Sequence, residues 1–239
     1  MKSIFFFSLK IVLFVFCCIV LSLVWPIILL FCKHDISNKI YARCLHYIYK
    51  YGLFAKLEYI NLEKLDENKN YIYVANHQSY FDAVLCGLMI PKNCYSIAKD
   101  SLIFVPYFGL MYYLAGNFYI KRGHSEKAKK TLEEVIRKIK LKKCSIFILP
   151  QGTRSAGNEI AKLKRGFIRL AKDTETDILP FVISTYKISD ILYHFRNKNP
   201  IYAKVCDKID YRKPDDEILS ELQIVMSNTI KELDALSEK

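Results

Sequence analysis

The sequence lacks the close cysteine pairs that would build a metal site or a disulfide frame. Its eight cysteines, at 17, 18, 32, 44, 86, 94, 144 and 206, contain no CxxC pair, and several sit in apolar runs. They read as reduced, small core hydrophobes of a cytosolic protein, and neither a metal nor a cofactor is expected. Charge is missing altogether from Ile11 to Cys32. An uncharged apolar run of that length suits a helix crossing a bilayer core, which takes about 20 residues. No small-residue cleavage site follows it, which weighs against a removable signal peptide and for a retained anchor. Trp25 and Pro26 within the run leave open a kinked segment that dips into one leaflet and returns. Internal repeats and low-complexity linkers are also absent, and so is any GxSxG elbow, which argues against a serine nucleophile of the α/β-hydrolase kind.

What is present fits one catalytic-size domain with an extra segment in front. The chain has 239 residues, 52% hydrophobic and 14% aromatic, with a net charge of +12. Only Lys2 and Lys10 precede Lys33, and all 24 acidic residues follow it, so the positive excess belongs mainly to the part beyond the apolar run. Lys33, Lys39, Arg43 and Lys50 beside that run favour the cytoplasmic side of a membrane and attraction to anionic lipids. A nucleic-acid partner is disfavoured, because no nucleic-acid-binding motif accompanies the charge. We divide the chain into membrane-anchoring helices over 1–53 and a second unit over 54–239.

Hydrophobic spacing then gives a coarse order of elements. A helix capped at Asp35 or Ser37 carries Ile40, Cys44, Tyr47, Ile48 and Tyr51 on one face and is expected to lie on the membrane surface. Strands are expected near 54–61, 71–75, 94–99, 117–122, 144–150, 177–184 and 200–209. Helices are expected over 80–89, from Ser125, over 163–172, and through Ile218, Leu222, Val225, Ile230 and Leu233. Strands alternating with helices predict an α/β fold, a mixed and largely parallel sheet flanked by helices, behind an N-terminal membrane helix or two-helix membrane motif.

Two clusters follow buried strands. In "NHQSYFD", Ser79 with Asp82 three residues later makes a capping-box-like helix start, an ordinary structural account that leaves His77 idle. The alternative places His77 in the turn before the helix and Asp82 in its first turn. The carboxylate then reaches one ring nitrogen, and the other takes a proton from a substrate hydroxyl. In "LPQGTRSAG", a glycine loop, two hydroxyls and Arg154 suit a phosphate, or else form an ordinary strand-to-helix turn. "FYIKR" adds Arg122 at another strand end, a weak signal by itself.

Together these residues resemble the glycerolipid acyltransferases. "NHQSYFD" matches their NHxxxxD motif, "PQGTRS" resembles PEGTRS, "GNFYIKR" resembles the intervening phosphate-binding motif, and "ILPFVI" resembles the later proline-containing strand. The order and spacing agree from roughly residue 55 to 185, and the front segment suits the bacterial 1-acylglycerol-3-phosphate acyltransferases. The resemblance implies a membrane-bound enzyme that makes phosphatidic acid from lysophosphatidic acid, with acyl-CoA or acyl carrier protein as donor. It makes His77 the general base and Asp82 its orienting partner, with Arg122, Gln151, Gly152, Thr153 and Arg154 at the substrate. It also implies an acyl groove open to the membrane, for which 101–116 is a lining candidate. Gln151 stands where glutamate is usual, so no essential carboxylate acts there. Either the position only shapes the loop, or the acceptor is a different lysolipid, or the activity is reduced. A non-catalytic lipid-binding or carrier-binding protein is the reading from another class, disfavoured because both His77 and Asp82 are present.

Overall fold

The computed structural model describes residues 2–31, 34–79, 81–105, 108–121, 125–152, 154 and 160–238. Among the described residues, seven strands form one sheet: β1 (Leu57–Ile60), β2 (Ile72–Ala75), β3 (Cys94–Lys99), β4 (Phe118–Ile120), β5 (Ser145–Ile148), β6 (Ile178–Ile183) and β7 (Ile201–Val205). Their order is β1-β7-β6-β2-β5-β3-β4, and every neighbouring pair is parallel except β6 with β7. The largely parallel, mixed sheet expected from the alternating pattern is therefore present. Five parallel strands end on one side, and that edge is where an open α/β sheet presents its ligands.

Helices cover both faces, and β2 shows why. Successive side chains of a strand point to opposite faces, so Ile72 and Val74 join one core while Tyr73 and Ala75 join another. The first core takes the apolar sides of α5 (Ser125–Lys142), α6 (Gly166–Asp173) and α8 (Asp215–Ser237), through residues such as Val135, Phe167 and Met226. The second takes Leu85 from the short α3 (Asp82–Leu85), Met89 from the 3₁₀ turn Cys86–Met89, and Tyr49 from the π-helical turn Ile48–Gly52.

α1 (Lys2–Phe31) is a single helix, with Pro26 inside it. Ile4–Phe31 is long and apolar enough to cross a membrane, and only 11% of its most apolar window is buried. One side nevertheless lies along the domain. Phe7 stacks on Tyr193, Lys10 Nζ donates to the Ile191 carbonyl of α7 (Ile188–Leu192) at 2.6 Å, Phe14 meets Phe81 edge-on, and Trp25 packs on Tyr41. From Phe7 to Trp25 the helix follows the surface for about 27 Å at 1.5 Å per residue.

α2 (His34–Tyr47) is more covered than the expected membrane-surface helix: most of it is partly buried, while Tyr47 at its end and Tyr51 in the following turn stay exposed. It docks against the 3₁₀ turn at Gly87, where an added Cβ would meet the Ala42 carbonyl oxygen at 2.4 Å, so only glycine lets the two backbones approach this closely. The same packing shortens the expected helix over 80–89 to α3 and its 3₁₀ continuation. His46 is buried at this contact. Tyr59 Oη donates to the Leu85 carbonyl at 2.7 Å, so His46 Nδ1–H donates to Tyr59 Oη at 3.0 Å.

Burial, and then the Lys50 charge, lower the His46 pKa from 6.5 to about 4. Between those values the unfolded chain binds a proton that the folded protein does not, so stability falls as the pH drops from about 6.5 to about 4. Thermal unfolding across this range is expected to lose stability more steeply in the wild type than in His46→Gln.

Candidate active site

β2 leaves the sheet through Asn76, whose side chain extends the pairing with β6. Its Nδ2 donates to the Ile183 carbonyl at 2.9 Å, and its Oδ1 accepts the Ile183 N–H at 2.8 Å. Asn76 is buried and fixes where the chain turns. His77 follows in the loop and Asp82 opens α3, the placement in which their five-residue spacing allows contact.

Asp82 Oδ2 lies 2.8 Å from His77 Nδ1 and accepts the N–H groups of Gln78 at 2.6 Å and Ser79 at 2.7 Å. Its other oxygen, Oδ1, accepts the Tyr186 hydroxyl at 2.8 Å. Asp82 is fully buried. A buried carboxylate is tolerated when charge-assisted hydrogen bonds replace its water, and four donors do so here. Ser79 Oγ accepts the Phe81 N–H at 3.2 Å. The expected capping box at Ser79 does not form, since α3 begins at Asp82 with Phe81 at its N-cap and no side-chain cap; the carboxylate instead closes the preceding turn and holds the ring.

With Oδ2 at Nδ1, the neutral imidazole carries its proton on Nδ1 and leaves Nε2 as the basic nitrogen. The His77 side chain is 16% exposed while Asp82 is sealed, so a proton enters and leaves the pair through the ring. Other titratable groups near Asp82 stay neutral. Burial, followed by the Asp82 charge, pushes the Tyr49 phenol, the Cys86 thiol and the Tyr186 phenol well above their ordinary ranges.

The second cluster approaches from β5. The His77 N–H donates to Gln151 Oε1, and Gln151 is buried. Gln151 therefore pins the His77 backbone to the glycine loop, and the amide oxygen fills an acceptor role that a glutamate oxygen would fill equally. Gly152 sits at φ +71°, in the left-handed region that glycine adopts without strain. The loop is tied by the Lys164 N–H, which donates to the Pro150 carbonyl at 2.8 Å. Arg154 is exposed. Arg122 and Thr153, expected at the substrate, lie outside the described residues.

Two residues of the site carried no assignment in the sequence. Asn76 belongs to the motif itself, and its strand-end position before a turn was the available signal. Tyr186 lies 104 residues from Asp82 and three residues beyond the last recognisable motif, so nothing local marked it.

A family model described as Acyltransferase matches residues 56–184. The 1-acyl-sn-glycerol-3-phosphate acyltransferase of Haemophilus influenzae is 30% identical over 204 residues, 84% of this chain and 84% of that protein. The Saccharomyces cerevisiae protein of the same name is 33% identical over 154 residues, 64% of this chain, and the match spans half (50%) of its own length. In fold, the chain resembles the crystal structure of the 1-acyl-sn-glycerophosphate (LPA) acyltransferase PlsC from Thermotoga maritima. The TM-score is 0.76 at 21% identity, covering 98% of both chains.

Gln151→Leu removes the acceptor of the His77 N–H and is expected to lower unfolding stability by about 1–3 kcal/mol, the cost of a lost buried hydrogen bond. Gln151→Glu retains an acceptor and is expected to fall within about 1 kcal/mol of the wild type. Denaturant titration of the purified proteins in detergent checks both.

Proposed function

Since the chain belongs to the acyltransferase family, we propose that it transfers an acyl group from a thioester to the free hydroxyl of 1-acylglycerol 3-phosphate, giving phosphatidic acid. The observation that carries this reading is the His77–Asp82 pair, with Asp82 buried and Nε2 left as the basic nitrogen. The names of the Haemophilus and yeast relatives support the choice of acceptor.

His77 Nε2 takes the proton of the acceptor hydroxyl as its oxygen attacks the thioester carbonyl, and Asp82 stabilises the imidazolium that forms. The C–S bond breaks, and the imidazolium returns the proton to the leaving sulfur, so an ester and a free thiol are made with no covalent enzyme intermediate. The acceptor phosphate is assigned to Arg122, Thr153, Arg154 and the Gly152 backbone, where a glycine loop and forked donors suit an anion. Gln151 serves there by holding the loop to His77. The donor is acyl-CoA or acyl carrier protein.

The enzyme works at the cytoplasmic face of the inner membrane. α1 has an exposed apolar side that suits a bilayer core. Between β3 and β4, the 3₁₀ turn Asp100–Phe104 and α4 (Phe108–Leu114) expose Ile103, Phe104, Val105, Leu110 and Tyr113, with Phe104 84% exposed. Met111 of α4 packs with Leu21 and Trp25 of α1, so the two apolar surfaces adjoin. A groove of about 680 Å³ lies between them, lined by Phe14, Cys18, Tyr41, Leu45, Val105 and Phe108. It suits an acyl chain, and its wall Phe14 touches Phe81, the neighbour of Asp82.

Membranes holding the protein, given lysophosphatidic acid and acyl-CoA or acyl carrier protein thioesters, are expected to form phosphatidic acid with release of thiol. His77→Ala is expected to lower the rate roughly a thousandfold, the scale of a lost general base, while the protein still folds. No thiol release with either donor overturns the reading. Ile103→Glu combined with Phe104→Glu is expected to weaken turnover on vesicles at least about tenfold while sparing turnover in detergent micelles, because two apolar side chains leave the bilayer.

A further inference from the structure

Tyr186 approaches the pair from the side opposite His77. Oδ2 of Asp82 is occupied by the ring and two backbone N–H groups, whereas Oδ1 meets the phenol. The phenol comes from the segment leaving β6, and this segment is pinned on the residues just before it. Gln78 Nε2 donates to the Ser184 carbonyl at 2.8 Å, the Ser184 N–H donates to the Tyr202 carbonyl at 2.9 Å, and the Thr185 N–H donates to Asp234 Oδ1 at 2.6 Å. Motif residue, neighbouring strand and closing helix thus all fix the backbone that presents the hydroxyl.

We propose that Tyr186 is a positioning residue of the acyltransferase site, holding the Asp82 carboxylate in the rotation that aims Oδ2 at His77 and drawing negative charge toward Oδ1. The proposal rests on the reading of His77 as the base. A carboxylate joined to its helix by two single bonds swings unless both oxygens are engaged, and Tyr186 is the described donor on Oδ1. Burial and the Asp82 charge keep the phenol protonated, so it donates throughout the working range.

The hydroxyl also limits how strongly Asp82 attracts a proton onto the ring. Charge shared with Tyr186 is charge withheld from Oδ2, and a hydrogen bond to the charged form of an acid favours that form. Among the described residues, the titratable groups facing Asp82 are His77, Tyr186, Tyr49 from the π-helical turn and Cys86 just beyond α3. Tyr49 and Cys86 are neutral for the reasons given above. Removing the Tyr186 hydroxyl therefore leaves His77 as the main group to respond.

Tyr186→Phe keeps the ring and removes only the hydroxyl. The expected result is a fall in kcat of roughly tenfold, with KM for lysophosphatidic acid within about twofold, the scale of one hydrogen bond to a charged group acting in the transition state. The acidic limb of the kcat/KM profile is expected to move to higher pH. An NMR titration of the His77 ring in detergent, assigned by comparison with His77→Ala, should show the same upward shift in Tyr186→Phe. The titration needs no turnover, so a protein that fails to transfer acyl groups undermines the reading of the reaction, while an unmoved His77 titration overturns the role of Tyr186. Unchanged kcat and profile overturn it as well. A Tyr186→Phe protein that cannot fold overturns it in favour of a purely structural hydroxyl.

Discussion

Asp82 is an acid with no access to water, and the rest of the site is organised around satisfying it. A buried carboxylate demands donors, and these come from separate parts of the chain: the turn after β2 through Gln78 and Ser79, the ring of His77, and the segment after β6 through Tyr186. The adjacency of β2 and β6 brings those parts within reach, and Asn76 locks the two strand ends together. Because the sheet has to be assembled before the carboxylate is satisfied, fold and site are coupled through one side chain.

Gln151 extends that coupling to the neighbouring strand. It joins the loop after β5 to the backbone of His77, so the segment assigned to the acceptor phosphate and the segment that carries the base are held in register. A glutamine at this position keeps the bridge through its amide oxygen. This favours the loop-shaping explanation of Gln151 over one in which a different acceptor is required.

Much of this was legible in the sequence wherever the signal was local. Apolar β-branched runs marked β2, β5 and β6, helical spacing marked α5 and α8, and a turn between His77 and Asp82 was one of the two placements the sequence left open. Elements decided by tertiary contacts were harder to read. α2 has the aromatic and basic pattern of a membrane-surface helix, yet it is largely covered, because a glycine at position 87 lets it settle onto the turn behind α3. The same contact turned an expected ten-residue helix into a short one with a 3₁₀ continuation. Tyr186 was invisible because its relation to Asp82 exists only once β6 lies beside β2. The antiparallel β6–β7 pairing likewise follows from where the chain returns, which hydrophobic spacing does not encode.

The packing of α1 changes what that helix is to the protein. A tether fastened only at its end could be cut away and leave an intact enzyme behind. Here Lys10 is buried against a carbonyl of the domain, Phe14 backs the residue beside Asp82, and Trp25 is enclosed with Leu21 and Met111. Trimming the chain at the end of α2 would strip a wall from the second core and open an apolar trough behind the base. Solubility engineering of this protein therefore has to repaint the outer side of α1 and leave the helix in place.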